Sequence, residues 1–415
     1  MNRKKILCLL TTIPLLLSVI SCSNDESKTE AENNPSNQQT TQAQKSNNPP
    51  QIAQTSPSPT ATNNLTPTPI DPAKSADLTN QAKFLAGMKV DGTSALASLE
   101  QEQAWVDHAT FFNRAWERLE NQQIIKIKKW TSQELTPIYQ SAKFIFYPFS
   151  GPDFLYCYSF FPQADNYVLV GLEPVGSLPV LEKTSKAETA KNLQNIERSL
   201  SAVLHLSFFR TNDMKVDLSQ QGVLPILFVF LARTNNKIQN VEYVGLKKDS
   251  TIQVLDKENK EKLISGVKID FIPVGSSQPR SLYYFSLDLS NSGLNNKPEF
   301  NKFIQSLGRS TTYLKAASYL PHYDGFSNIR NLILSQSSSL LQDDSGVPIK
   351  YFDSDKWKLK FYGNYTQPIA LFSNEYQAGL KDIYKDKSNV KPLDFGIGYQ
   401  YKVNDSNLML ALRKK

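Results

Sequence analysis

Apolar and polar positions follow two rhythms along the chain, and each rhythm predicts its own element. Trp105, Ala109, Phe112, Trp116 and Leu119 recur at spacings of four and three, the stripe of an amphipathic helix. Glu102, Asp107, Arg114, Glu117 and Arg118 fall largely outside that stripe. Leu193, Ile196, Leu200, Val203 and Leu204 predict a second helix. "PEFNKFIQSLG" predicts a third, with Pro298 near its start and Gly308 just past its end. Phe326, Ile329, Ile333 and Leu340 predict a fourth, and Tyr376, Leu380 and Ile383 a fifth.

The second rhythm has period two. "VKIDF" and "WKLKF" alternate apolar with charged residues, as do Tyr283, Phe285, Leu287 and Leu289 around Ser286 and Asp288. Such alternation predicts strands with one wet face in antiparallel pairing. "VLPILFVFLA" at 223–232 is apolar throughout and reads as a central strand, turning through "TNNK" into "VEYVGL" as a hairpin. "FLYCYSFF" reads as another apolar strand, with Tyr156, Tyr158 and Phe160 on one face. The expected fold is α+β, a mixed and largely antiparallel sheet packed with amphipathic helices. No second linker divides residues 76–415, so one domain or two packed lobes is expected.

Before residue 76 neither rhythm is present. The chain opens Met-Asn-Arg-Lys-Lys, then runs apolar from Ile6 to Ile20, short of the roughly 20 residues a membrane-spanning helix needs. The run ends Val19-Ile20-Ser21-Cys22-Ser23. Residues 1–21 thus resemble the signal peptide of a bacterial lipoprotein, whose lipobox closes on a small residue and a cysteine. The resemblance covers about two dozen residues. It implies cleavage after Ser21, diacylglyceryl attachment at Cys22 and acylation of the new amino terminus. Two or more acyl chains give stable anchoring where one does not, so the membrane is an expected partner through lipidated Cys22. In Gram-negative sorting an aspartate after the cysteine retains a lipoprotein in the inner membrane; Ser23 in that place points to the outer membrane.

Residues 22–75 continue without one aromatic residue, crowded with Asn, Gln, Ser, Thr and Pro, as in "QTSPSPTATNNLTPTPIDP". Such a segment cannot bury enough apolar surface to offset its conformational entropy, and reads as a disordered tether. The 18 tyrosines, 22 phenylalanines and four tryptophans lie beyond it. The net charge of +7 is scattered, with no basic stripe or nucleic-acid-binding motif, so nucleic acid is not an expected partner. Three cysteines leave no disulfide framework: Cys8 departs with the signal, Cys22 carries lipid, and Cys157 reads as a small buried hydrophobe.

Catalytic fingerprints are sparse. The chain has no G-x-S-x-G elbow, H-E-x-x-H, Walker A, G-x-G-x-x-G or C-x-x-C. Three histidines argue against a His-rich metal site or a Ser-His-Asp arrangement. His108 and His205 fall within predicted helices. No cofactor is implied. The candidate ligand residues lie in three turns: Asp153 in "FYPFSGPDFLYCYSFFP", His322, Tyr323 and Asp324 in "SYLPHYDGF", and Asp343 and Asp344 in "LLQDDSGVP". A 15-residue helix between the last two would hold them about 22 Å apart, in separate places unless that helix is much shorter. The expected function is a lipid-anchored cell-envelope module that binds or scaffolds an envelope glycan or protein. The rival is a periplasmic hydrolase of glycan or peptide using carboxylates such as Asp153 or Asp324.

Overall fold

The computed structural model describes residues 71–209, 222–255 and 263–414. The chain divides into residues 1–59 and 60–415, and the described residues all lie in the second unit. Cys22, the signal peptide and the tether up to residue 70 lie outside them.

The first described helix, α1 (Pro72–Leu85), begins four residues before the composition break at 76. Asp71 accepts hydrogen bonds from the backbone N–H groups of Ala73 and Lys74, and Pro72 opens the first turn. Ser75 donates to the Ile238 carbonyl, and Lys74 to Asn240. The boundary of the tether therefore moves back to residue 70. The further α-helices of seven or more described residues are α2 (Gln103–Leu119), α3 (Ile125–Glu134), α4 (Phe154–Phe160), α5 (Lys186–Leu206), α6 (Leu224–Arg233), α7 (Glu299–Ser306), α8 (Ser327–Gln336) and α9 (Ala378–Lys385). None among the described residues is long and apolar enough to cross a membrane.

The strands are β1 (Phe144–Tyr147), β2 (Asn166–Gly171), β3 (Asn236–Leu246), β4 (Ile252–Val254), β5 (Ile264–Pro273) and β6 (Arg280–Ser286). They continue with β7 (Ser310–Leu314), β8 (Ser337–Gln342), β9 (Trp357–Gly363), β10 (Val390–Lys391) and β11 (Asn407–Arg413). All join one sheet in the order β10-β9-β11-β8-β7-β1-β2-β6-β5-β3-β4. The fold is α+β with a mixed sheet. Its longest ladders, β3 with β5 and β9 with β11, are antiparallel, whereas β8, β7, β1, β2 and β6 form a parallel centre.

Helices cover both faces. Ile145 and Tyr147 of β1 join the core under α1 to α6, while Phe144 and Phe146 join the core under α7, α8 and α9. That is period two with both sides apolar. On β5 the expected wet face is absent, because Lys268 and Asp270 are buried as an ion pair at 2.8 Å. On β9 the alternation holds and Lys358 is exposed.

Two apolar runs expected as strands are helices. "VLPILFVFLA" forms α6, whose residues 224–232 are all buried. A uniformly apolar run has no periodicity to separate buried strand from buried helix; Pro225, in the first turn, is the local helix signal. The hairpin into "VEYVGL" is therefore a helix followed by β3. "FLYCYSFF" forms α4, capped by Asp153, so Tyr156, Tyr158 and Phe160 share no strand face. Cys157 is fully buried there.

Candidate functional site

The parallel centre has a reversal in its strand order. From β1 the chain moves to β2 on one side, yet from β7, on β1's other side, it moves away to β8. Loops leaving the carboxyl ends of β1 and β7 therefore diverge, opening the crevice in which open α/β sheets bind ligands. A cavity of ≈ 150 Å³ occupies that place, walled by the segments that follow β1, β2, β6 and β7.

The β1 segment turns sharply, with Phe149 and Gly151 both at positive φ (61° and 52°). Ser150 and Gly151 donate their backbone N–H groups to the Val170 carbonyl. β2 ends at Gly171, where a Cβ would lie 2.6 Å from Glu173 Oε2 and 2.8 Å from the Cα of Gly151. Only glycine lets these two segments pass so closely.

The β7 segment is more strained. After Lys315 come Ala316, Ser318 and Tyr319 at φ 49°, 52° and 55°. Each non-glycine residue in the left-handed region costs roughly 1–2 kcal/mol, so neighbours must over-determine the turn. The turn after β8 does so. Asp343 Oδ2 accepts from Ala316 N at 2.9 Å, and Ser345 Oγ accepts from Ala317 N at 2.8 Å. Tyr319 donates its hydroxyl to Asp344 Oδ2 at 2.5 Å, and Asn407 donates to Asp344 Oδ1 at 3.0 Å. Burial, followed by the Asp344 charge, raises Asp343 to about 7. Burial also raises Asp344.

Where the two strands meet, Lys315 Nζ lies 2.7 Å from Asp153 Oδ2, both side chains almost wholly buried. Tyr147 donates to the same oxygen at 2.9 Å, and Tyr156 N to Asp153 Oδ1 at 3.2 Å. Lys315 also donates to the Ser207 carbonyl and sits 3.6 Å from the centre of the Tyr156 ring. Burial raises the Asp153 carboxyl against the pull of Lys315, and lowers the Lys315 ammonium against the pull of Asp153. Both shifts favour moving the proton from amine to carboxyl. The Tyr313 hydroxyl, fully buried beside this cluster, has no hydrogen-bond partner among the described residues.

Aromatic side chains close the cavity. Phe149 packs edge-on against Phe326 (5.9 Å), and Phe208 against Tyr399 (5.0 Å). The buried Glu173 and the exposed Asp288 complete its charged lining with Asp153 and Lys315.

The sequence candidates thus separate. Asp153 belongs to the cavity. Asp343 and Asp344 do not line it but hold the turn that carries Lys315. The two turns expected to be about 22 Å apart adjoin, because α8 spans ten residues and β8 then runs back beside β7. His322 meets Glu375 at 3.1 Å and stands edge-on to Tyr319; burial lowers its pKa against the pull of Glu375. Tyr323 is half exposed, with nearby Glu375 raising its hydroxyl pKa, and Asp324 is fully exposed, 3.8 Å from Arg330. These three take no part in the cavity. His108 and His205 lie on α2 and α5 as expected, His108 buried between Glu197 and the Leu85 carbonyl. Among the described residues no group of three or more His, Cys, Asp or Glu side chains is placed to hold a metal ion.

Lys315, Tyr147 and Glu173 were not legible as site residues. The available signal was a lone lysine closing the strand "STTYLK", where the chain leaves the core. Comparison with protein-family models, curated proteins and solved structures finds no match to this chain.

Proposed function

We propose that this is a lipid-anchored envelope protein whose folded unit binds a small polar ligand, or the end of an envelope glycan, in the switch-point cavity. The observation that carries the binding reading is the lining itself. Aromatic faces at Phe149, Phe208 and Tyr399 suit stacking on an apolar ring face, and Glu173 and Ser318 offer hydrogen bonds to hydroxyls. The lipobox ending at Cys22 supports the anchor, and Ser23 after it favours the outer membrane if the cell is Gram-negative.

Leu172 is exposed and lies at the cavity wall, so Leu172→Trp is expected to narrow the opening without unfolding the protein. Titration with mono- and disaccharides and their alditols, followed by calorimetry, should show saturable binding that weakens at least tenfold in Leu172→Trp. Equal binding by both proteins, or none by either, overturns the cavity as the ligand site. Radioactive palmitate should label the wild type and not Cys22→Ala; label in that variant overturns the anchor.

A hydrolase is the second reading, favoured by three carboxylates, Asp153, Glu173 and Asp288, around one cavity. Turnover of a glycan or peptide that is lost in Glu173→Gln would put it first.

A further inference from the structure

Three features of the cavity's inner wall do not follow from a need for stability. A buried Lys–Asp pair contributes no more than well-packed apolar residues of the same volume. Three left-handed non-glycine residues follow the lysine within four positions, and such strain collects at functional sites. The Tyr313 hydroxyl finds no hydrogen-bond partner among the described residues. All three converge on Lys315.

We infer that Lys315 is a nucleophile that captures small carbonyl compounds, hydroxyaldehydes of about three carbons, as an imine in the cavity. The inference rests on the cavity being a ligand site. Its geometry supplies each part. Lys315 Nζ and Asp153 Oδ2 are 2.7 Å apart, within proton-transfer reach. Tyr147, donating to the same oxygen at 2.9 Å, holds the carboxyl in place. The Tyr156 ring and the surrounding core desolvate the amine, the usual way a lysine is made nucleophilic. Burial, moving both pKa values towards the neutral pair, supports the same state. A space of ≈ 150 Å³ matches a cavity that holds benzene, and so a ligand of about six heavy atoms.

The step balances without an oxidant or reductant. The neutral amine attacks the carbonyl carbon while Asp153 gives its proton to the carbonyl oxygen, forming a carbinolamine. The carboxylate takes a proton from the nitrogen and returns it to the hydroxyl, which leaves as water. The products are the imine and one water molecule, with Asp153 ionised or reprotonated according to the charge on nitrogen. Lys89 and Lys186 also pair with carboxylates, Glu100 at 3.0 Å and Glu102 at 2.7 Å, but their side chains are well exposed, so they serve as internal references for a paired lysine in water.

The test treats the purified full chain at pH 7 with glyceraldehyde and cyanoborohydride, then maps adducts by peptide mass spectrometry. Lys315 should be modified at least tenfold faster than Lys89 or Lys186, and saturably. Tyr147→Phe removes one hydroxyl and should slow capture several-fold while thermal melting stays within a few degrees; Asp153→Asn should slow it at least tenfold. Where Asp153→Asn fails to fold, Tyr147→Phe decides. Adducts on Lys89 and Lys186 with none on Lys315, or unchanged capture in Tyr147→Phe, overturn the inference. Saturable binding of glycerol or an alditol alongside an unmodified Lys315 would refute the imine and leave the binding reading standing. Loss of alditol binding as well would refute both.

Discussion

Two lysine–aspartate pairs are buried on both sides among the described residues, and they sit in opposite settings. Lys268 and Asp270 project from the same face of β5, two residues apart, and Ser281 on the neighbouring β6 donates to Asp270 at 2.5 Å. Their backbone pairs in unbroken register with β6, and on the other side β3 makes one register shift, between Ile238 and Asn240 opposite Phe271 and Asp270. Lys315 and Asp153 are 162 positions apart in sequence and meet only because β7 lies beside β1. Their segments carry left-handed residues, and a cavity opens beside them. Burial of charge is thus not itself the mark of a site. The mark is burial where diverging loops, backbone strain and open volume coincide.

Removing one partner is expected to have the largest effect and to treat the two pairs alike. Asp153→Ala and Asp270→Ala each leave a buried lysine without its counter-charge, which costs about 3–5 kcal/mol. Urea denaturation checks this. A loss below about 1 kcal/mol in either would show that water reaches that lysine in the folded protein.

The pH dependence comes next and separates the settings. Asp343, held up to about 7 beside the Lys315 turn, keeps its proton in the folded state where the unfolded chain has released it, between about pH 4 and 7. The folded state binds more protons across that window, so stability falls as pH rises through it. Melting temperatures measured from pH 4 to 8 in wild type and Asp343→Asn should diverge, the wild type losing more stability than the variant as pH rises. An unchanged slope in the variant would remove Asp343 as a source of that loss.

Strain around Lys315 gives a smaller effect. Ala316→Gly relieves a left-handed alanine and loses only a methyl group, so stability should rise by roughly 0.5–1 kcal/mol. A decrease would mean that the turn is set by packing of that methyl.

The smallest effect concerns the edge of the folded unit. Deleting residues 23–70 should leave the thermal midpoint within a degree or two. Extending the deletion to 75 removes the Asp71 cap and the Ser75 and Lys74 bonds to β3, and should cost roughly 1–2 kcal/mol. Equal midpoints would return the boundary to the composition break.

What the sequence made legible follows from which signals are local. The helices around Trp105, Leu193, Phe300 and Leu380 carry their own 3.6-residue stripe and appear where the stripe puts them. α4 and α6 do not, because a helix buried on every side has no polar face to set its period. α8 was read too long because Leu340 fits the stripe of Ile329 and Ile333 yet lies on β8. That error alone separated two turns that adjoin. Asp153 was legible as a polar residue at a Pro/Gly turn. Lys315 was not, since its significance depends on strand order, a long-range property that no stretch of ten residues encodes.

The most direct measurement replaces both members of the cavity pair at once. Lys315→Met with Asp153→Leu removes the charges while keeping similar volume, and a buried ion pair so replaced leaves stability unchanged or higher by about 1–4 kcal/mol. The expected result is a urea midpoint at or above that of the wild type, with glyceraldehyde capture abolished and saccharide binding weakened at least tenfold. A loss of more than about 3 kcal/mol, or full binding in the double variant, would contradict it and make Lys315–Asp153 a structural pair like Lys268–Asp270.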